Sequence, residues 1–149
     1  VVNALATKEL YGAPAIVVDF GTATTFDILS SDAAYEGGLI SPGLIISASA
    51  LFDRAAMLPN IELRRPTTLI GKNTVDALMS GIIYGYVSLV DGILKRLLET
   101  IGPKTQVIAT GGLAALIADE SEYISQVVPE LTLSGLRLIA EREASGHGR

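Results

Sequence analysis

The 149-residue sequence contains no cysteine, no tryptophan and only one histidine. The absence of cysteine excludes disulfide bonds and thiolate metal sites, which is compatible with the reducing cytoplasm. Basic side chains are also scarce: 11 lysine and arginine residues against 16 acidic ones leave a net charge of -5. Because binding to a phosphate backbone needs a basic stripe, this balance argues against a nucleic-acid partner.

Long apolar runs are missing as well. No stretch approaches the roughly 18 to 20 consecutive apolar residues that cross a bilayer, and no basic segment followed by an apolar core opens the chain. We therefore expect no membrane association and a cytoplasmic location. The hydrophobic fraction of 49% is still high enough for a packed core, and a chain of this length fits one domain.

The chemistry that the sequence offers is concentrated in residues 19–25, DFGTATT in one-letter code. They follow residues 15–18 (AIVV), an uncharged, β-branched run that predicts a strand buried on both faces. Asp19 is thus expected at the end of a core strand, and Gly21 permits a tight turn. A carboxylate can hold a cation, while threonine hydroxyls and backbone N–H groups can meet phosphate oxygens. The alternative is an ordinary hairpin turn whose threonines only favour extended backbone.

The remaining periodicity predicts a mixed α/β chain. The expected elements are a helix ending at Gly12, strands over residues 15–18, 24–29 and 34–40, a helix from Ser41 to about Met57, a loop over residues 58–67, a helix from Asn73 to about Thr100, a strand over residues 106–110, a short helix to about Ala118, a last strand over residues 123–128 and a closing helix. The side chains expected to face the core are Val2, Leu5, Ala6 and Leu10 in the first helix, Leu78, Ile82, Leu89, Ile93 and Leu97 in the long helix, and Leu133, Leu136, Ile139 and Ala140 in the closing helix.

Two glycines, Gly81 and Gly85, lie one turn apart in the long helix. Each costs about 1 kcal/mol of helix propensity relative to alanine, so such a pair usually marks the close approach of another backbone. We expect a neighbouring helix there, either in this chain or in a partner chain.

Three meandering antiparallel strands followed by a helix and strand–helix units resemble the ribonuclease H-like half-domain shared by actin, sugar kinases and heat-shock chaperone ATPases. Six motifs narrow the resemblance to type III pantothenate kinases, in the order and spacing of that family: residues 17–27, 37–43, 58–59, 71–74, 109–112 and 131–136. The resemblance covers almost the whole chain. It implies an actin-like ATPase half-domain formed by residues 1–149, namely the C-terminal half of such a kinase.

The resemblance also implies an activity, the transfer of the γ-phosphoryl group of ATP to pantothenate in coenzyme A biosynthesis. In that family Asp19 would bind the monovalent cation, potassium or ammonium, and Gly21 and Thr22 would contact ATP, which carries magnesium. Thr74 matches the threonine that contacts pantothenate, although a helix-capping role explains it equally. Members of the family are homodimers whose pantothenate pocket is completed across the interface, so a homodimer is expected.

Gly111 and Gly112 resemble the family's adenosine-side motif, in which missing Cβ atoms leave room for the nucleotide. Tight packing between a strand and the following helix explains the same glycines.

Two family motifs are absent from the sequence: an aspartate-containing phosphate motif, and a Gly-x-Asp-Arg motif whose aspartate is the proposed catalytic base. The second lies just before the helix with which this sequence begins, so Val1 is expected to follow a cut and the N-terminal half-domain to be absent. We assign no catalytic residue and expect no useful kinase turnover from this chain alone. The alternatives are a non-catalytic nucleotide-binding or regulatory module, and a phosphotransferase or phosphatase of the same superfold with another substrate.

Overall fold

The computed structural model describes residues 2–54 and 62–146, which form a five-stranded sheet with helices on both faces. The elements in chain order are α1 (Val2–Leu10), β1 (Ala15–Phe20), β2 (Ala23–Leu29), β3 (Tyr35–Pro42), α2 (Leu44–Arg54), α3 (Thr74–Ile101), β4 (Gln106–Thr110), α4 (Ala114–Ala118), β5 (Gln126–Val127) and α5 (Leu131–Gly146). Each predicted helix and strand is present, although β5 is much shorter than expected. The predicted end of α2 near Met57 and the first part of the predicted loop over residues 58–67 lie outside the described residues.

The strand order in the sheet is β3-β2-β1-β4-β5. The first three strands form the predicted antiparallel meander, whereas β4 pairs parallel to β1, and β5 parallel to β4. In the central strand β1, Ile16, Val17 and Val18 have no exposed surface. The prediction of a strand buried on both faces is therefore confirmed.

One face of the sheet packs against α3. Side chains of β1 and β2, among them Ile16, Val18 and Phe26, meet Ile83 and Val90 of α3 in the main core. The residues that α3 buries are Met79, Ser80, Ile83, Tyr86, Val87, Val90 and Leu94.

The face predicted for α3 is confirmed only in part: Ile82, Ile93 and Leu97 are half-buried and pack against the main core. Leu89 is exposed and the other predicted residues are only partly buried. The helix is apolar on more than one side, so the apolar spacing fits two faces. The buried face carries two hydroxyl groups that find partners there: Ser80 donates to the carbonyl oxygen of Leu69, and Tyr86 to that of Pro42.

By length and composition alone, α3 is also apolar enough to cross a bilayer, which contradicts the prediction that no segment qualifies. The same test is passed by core helices of globular domains. In this chain, Ile83, Val90 and Leu94 are fully buried in the main core, so packing on the sheet accounts for part of the apolar content of α3, of whose most apolar stretch 39% is buried.

The opposite face of the sheet carries α1 and α5. Here Val17 of β1 and Ile108 of β4 pack against Ala6 and Leu131. Of the face predicted for α1, Ala6 is confirmed as buried, but Leu10 is 53% exposed. The other residues that α1 buries are Asn3, Ala4 and Thr7. The face predicted for α5 is wrong, because Leu133 and Leu136 are 62% and 51% exposed.

Close packing between α1 and α5 explains this arrangement. A Cβ atom added at Gly135 would lie 2.5 Å from the carbonyl oxygen of Val2, so the two helices touch through backbone rather than through large side chains. An ion pair of 2.6 Å between Arg142 and Glu9 also joins them. The prediction assumed that the largest apolar side chains face the core, which fails where backbones approach this closely.

The glycine pair in α3 has no neighbour in the described chain. A Cβ atom added at Gly81 or Gly85 would find no atom within 4 Å. Within residues 2–54 and 62–146, no helix therefore approaches the pair closely, and the alternative of a partner chain stays a prediction.

Candidate functional site

The polar turn after β1 and the glycine pair after β4 lie side by side. Because β1 and β4 are parallel and Asp19 is opposite Thr110, both strands end at the same edge of the sheet. A Cβ atom added at Gly111 would lie 2.6 Å from the carbonyl oxygen of Phe20. Carboxyl ends of strands are where open α/β sheets commonly bind ligands. The structure thus brings together the carboxylate, the turn at residues 21–22 and the glycines that the sequence singled out.

Asp19 points to the face of the sheet that carries α1 and α5. The Nδ2 atom of Asn3 donates a hydrogen bond of 2.7 Å to its Oδ2 atom, and the hydroxyl of Thr132 donates one of 2.7 Å to the Oδ1 atom of Asn3. All three residues, together with Thr25, line an open cavity of about 400 Å³. The carboxylate of Asp19 is therefore fixed by the hydrogen bond from Asn3 and faces a space large enough for a ligand.

The far wall of this cavity is formed by β2 and β3, mainly by Asp27, Tyr35, Gly38 and Ile40. The hydroxyl of Tyr35 donates to Oδ1 of Asp27 at 2.9 Å, and this hydrogen bond raises the pKa of Tyr35 above its ordinary value. Asp27, which the sequence left unassigned between cleft and solvent, lines the cavity.

Thr25 belongs to the stretch of residues 19–25 that the sequence singled out, but the sequence did not identify Asn3 and Thr132, which also line this cavity. Thr132 belongs to the motif at residues 131–136, which therefore carried a usable signal. Asn3 could have been noticed only as a polar side chain between small residues of α1.

The three threonines of the turn have different surroundings. Thr22 is exposed at the turn, Thr25 lines the cavity, and Thr24 is buried with 1% of its surface exposed. Thr24 hydrogen bonds to the hydroxyl of Tyr86 at 2.6 Å, and burial raises the pKa of that tyrosine. Of the three, Thr22 and Thr25 are accessible to a ligand, whereas Thr24 helps to fix the turn on α3.

The oxygen atoms around Asp19 suit a hard cation of low charge. Oδ2 is engaged by Asn3, whereas Oδ1 lies 3.8 Å from the position of a Cβ atom at Gly21 and so faces the turn. Within residues 2–54 and 62–146, no group of three or more histidine, cysteine or acidic side chains gathers in one place, as a transition-metal site would need. One carboxylate with threonine hydroxyls beside it is an oxygen donor set of the kind that hard cations use.

The two glycines after β4 differ in the space that surrounds a Cβ atom added to each. Gly111 has a φ of +96° and lies against the backbone of Phe20, so local packing by itself requires a glycine there. Gly112 is exposed, and a Cβ atom added to it would find nothing within 4 Å. The packing explanation therefore accounts for Gly111, while only Gly112 has open space beside it.

Thr74 lies apart from Asp19. It is the first residue of α3, but the N-cap is Asn73, whose side chain accepts a 2.9 Å hydrogen bond from the backbone N–H of Asp76. Capping therefore does not explain Thr74. Thr74 is exposed and lines an apolar groove of about 490 Å³ between α2 and α3, beside Leu51 and Leu78. The structure does not bring Thr74 and Asp19 into one cavity.

The meander, the parallel β4 and the polar turn at the shared strand edge define an actin-like ATPase fold, which confirms the predicted fold class. The activator of 2-hydroxyisocaproyl-CoA dehydratase from Clostridium difficile, solved with bound ADPNP, matches with a TM-score of 0.56 and 15% identity over 98% of this chain and 66% of that one. The ethanolamine utilization protein EutJ from Carboxydothermus hydrogenoformans matches with a TM-score of 0.56 and 16% identity over 91% and 52% of the two chains. A conserved putative Baf family transcriptional activator from Campylobacter jejuni gives a TM-score of 0.61 and 22% identity, covering 97% of this chain and 65% of that chain.

The chain belongs to the type III pantothenate kinase family. The model of that family matches residues 1–96. A curated type III pantothenate kinase from Bacillus cytotoxicus (strain NVH 391-98) is 54% identical over 144 residues, which cover 97% of this chain and 55% of that relative. The resemblance drawn from the six motifs is thereby confirmed. The chain spans about half the length of the curated relative that it matches.

Proposed function

We propose that this chain supplies the cation site and part of the ATP site of a type III pantothenate kinase, which transfers the γ-phosphoryl group of ATP to the primary hydroxyl of pantothenate. The observation that carries the proposal is the adjacency of Asp19, the turn at residues 21–22 and Gly112 at one strand edge, in a chain of this family. Phosphoryl transfer depends mainly on positioning and on charge stabilisation. Such an edge can contribute to both.

Each residue of the edge has a proposed role. Asp19 would hold potassium or ammonium through the oxygen that faces the turn, and a cation there would offset negative charge on the phosphates. Gly21 and the hydroxyl of Thr22 would contact phosphate oxygens. Gly112, with Gly111 fixing the backbone beside it, would leave room for the adenosine. Magnesium would arrive with ATP and bridge its phosphates.

Thr74 would contact pantothenate at an interface between two copies of the chain. The groove that it lines is apolar, and Leu51 on its rim is exposed. Gly81 in the same groove leaves open space beside its backbone, which would let a partner helix approach closely. We therefore expect a homodimer in the cytoplasm, with ATP and pantothenate as its ligands.

We also propose that residues 1–149 form one C-terminal half-domain, and that the proton of the pantothenate hydroxyl is accepted elsewhere. The sequence has no Gly-x-Asp-Arg motif, so no residue of this chain is assigned as the base. Full activity of the purified 149-residue chain with ATP and pantothenate would contradict this part of the proposal.

A chimeric enzyme tests the function directly. This chain replaces the matching 144 residues of the Bacillus cytotoxicus relative, and phosphorylation of pantothenate is measured with and without potassium. We expect potassium-dependent activity that falls at least about 100-fold in Asp19→Asn, a loss in the range seen when a key electrostatic group is removed. The matched control is Asp32→Asn, because Asp32 is an exposed carboxylate of the β2–β3 turn that accepts from Ser30.

The same assay separates the rival functions. A chimera without pantothenate phosphorylation, in a background where the relative is active, would overturn the proposal. ATP binding without transfer would support a non-catalytic or regulatory module. Transfer to a different alcohol, or hydrolysis of a phosphate ester, would indicate another substrate on the same superfold.

A further inference from the structure

Two hydrogen bonds in series link α5 to β1 through α1: Thr132 is bonded to Asn3, and Asn3 is bonded to Asp19. Their direction follows from chemistry: a carboxylate accepts hydrogen bonds, so the amide NH₂ group of Asn3 must face Asp19. The carbonyl oxygen of Asn3 then faces Thr132, whose hydroxyl donates to it. Both distances are 2.7 Å.

Asn3 has little freedom to point elsewhere. It is 7% exposed, and a buried amide is costly unless its polar atoms are satisfied. The backbone of α1 is held at the neighbouring residue, where Val2 lies directly against Gly135 of α5. The amide is therefore fixed by the crossing of the two helices.

The side chain of Asp19, in contrast, has no strong preference for one orientation of its two carboxylate oxygens. The last torsion of an aspartate side chain is broad and roughly two-fold, so the covalent structure does not decide which oxygen faces the turn. The bond from Asn3 engages Oδ2 and leaves Oδ1 on the side of Gly21.

We propose that Asn3 and Thr132 are positioning residues for the cation site: together they hold the carboxylate of Asp19 so that Oδ1 stays directed at the turn. This inference rests on the proposed function, because it concerns the same carboxylate. Neither residue needs to touch the cation. Thr132 acts through Asn3, and Asn3 acts through Asp19.

The experiment measures cation binding by the 149-residue chain rather than enzyme activity. Thermal unfolding is followed while potassium chloride replaces tetramethylammonium chloride at constant ionic strength, which yields a half-saturating potassium concentration. We expect Asn3→Ala to raise that concentration by at least about tenfold, the lower end of what loss of an outer hydrogen-bond partner costs a metal site. Thr132→Val should raise it several-fold, and Thr132→Ser, which keeps the hydroxyl, should restore the original value.

Thr7→Val is the matched control. Thr7 is buried in the same helix, and its hydroxyl has no hydrogen-bond partner within the described part of the chain. This variant should leave the half-saturating potassium concentration unchanged. A purely structural role for Asn3 and Thr132 would lower the melting temperature equally in both salts and leave potassium binding as it was.

The possible outcomes are distinct. If the unsubstituted chain shows no potassium-specific stabilisation, the cation assignment fails and the positioning role fails with it. If the unsubstituted chain binds potassium and the Asn3 and Thr132 variants bind it equally well, only the positioning role is overturned. Should Asn3→Ala fail to fold, the pair Thr132→Val and Thr132→Ser decides, because Thr132 is an exposed residue. Thr132→Val keeps the shape of the threonine side chain without its hydroxyl, whereas Thr132→Ser keeps the hydroxyl without the methyl group.

Discussion

The hydroxyl group of Tyr86 in α3 donates a hydrogen bond of 2.9 Å to the carbonyl oxygen of Pro42, the last residue of β3. A tyrosine hydroxyl has one hydrogen, so the 2.6 Å contact with Thr24 must be donated by the threonine. One side chain of α3 thus holds the strands β2 and β3 at the end nearest the polar turn.

Replacing Tyr86 by phenylalanine is expected to lower the free energy of unfolding by about 1–3 kcal/mol, because Thr24 and the Pro42 carbonyl lose a buried partner. Urea unfolding measures the change. Tyr84→Phe, on the same helix, serves as control and should stay within about 0.5 kcal/mol. Equal losses in the two variants would show that the Tyr86 hydroxyl contributes nothing specific.

The stability of the chain should also fall at high pH through Tyr86. Burial raises the pKa of this tyrosine above its ordinary value, which is about 10. The unfolded chain therefore releases the proton first, so the stability is fully present below about pH 10 and is lost as the pH rises through the folded-state pKa. Urea midpoints measured at about pH 9 and about pH 11 should differ less in Tyr86→Phe than in the unsubstituted chain. An identical decline in both would contradict the prediction.

The crossing of α1 and α5 depends on Gly135. Gly135→Ala places a methyl group 2.5 Å from the Val2 carbonyl oxygen, so we expect a loss of about 1–3 kcal/mol from overpacking. Gly92→Ala is the matched control, since nothing lies within 4 Å of its added Cβ atom and helix propensity alone should stabilise it by up to about 1 kcal/mol. If both variants gain stability, the helices do not cross as closely as described.

The two glycines after β4 should respond differently to the same methyl group. Gly111→Ala adds strain at positive φ and contacts the Phe20 backbone, so its unfolding free energy should drop by about 1–3 kcal/mol. Gly112→Ala should leave that free energy within about 0.5 kcal/mol but weaken ATP binding, which calorimetry measures. Unchanged ATP affinity in Gly112→Ala would place the nucleotide elsewhere.

Gly81 offers a test of the expected homodimer. Because open space surrounds it in one chain, Gly81→Leu should leave a single chain as stable as before or slightly more so. If a second copy approaches this face, the larger side chain should instead shift the monomer–dimer equilibrium towards monomer in sedimentation experiments. This interface would be ruled out for the 149-residue chain if the unsubstituted chain sediments as a monomer at all concentrations. It would also be ruled out if Gly81→Leu dimerises with undiminished affinity.

The order of helices and strands was readable from the sequence because β1 is uniformly apolar and strong turn residues separate the elements. The buried faces of the helices were predicted only in part. In α1 and α5 the contact is made by small residues and backbone around Gly135, so the large side chains that normally mark a buried face, such as Leu133, point outward. In α3, buried partners for Ser80 and Tyr86 select one of two apolar faces, and neither partner can be inferred from helical spacing.

The residues of the candidate site could be predicted from the sequence only in part, because some of them meet only through helix packing. Asp19 and the turn at residues 21–22 are neighbours in sequence, and their pattern indicates phosphate and cation chemistry. Asn3 and Thr132 meet only because α1 crosses α5. No local pattern links residues separated by 129 positions.

That separation affects when the hydrogen bonds between Asp19, Asn3 and Thr132 form as the chain folds. The β1–β2–β3 meander joins near neighbours, whereas the contact between Thr132 and Asn3 closes a loop between residues 129 positions apart, and the entropic cost of closure grows with loop length. Contacts of this kind form late. Because α5 follows Asp19 in the chain, the oxygens of Asp19 gain their fixed direction only after α5 has been synthesised and docked. The proposed cation site should therefore be complete only once α5 has packed against α1.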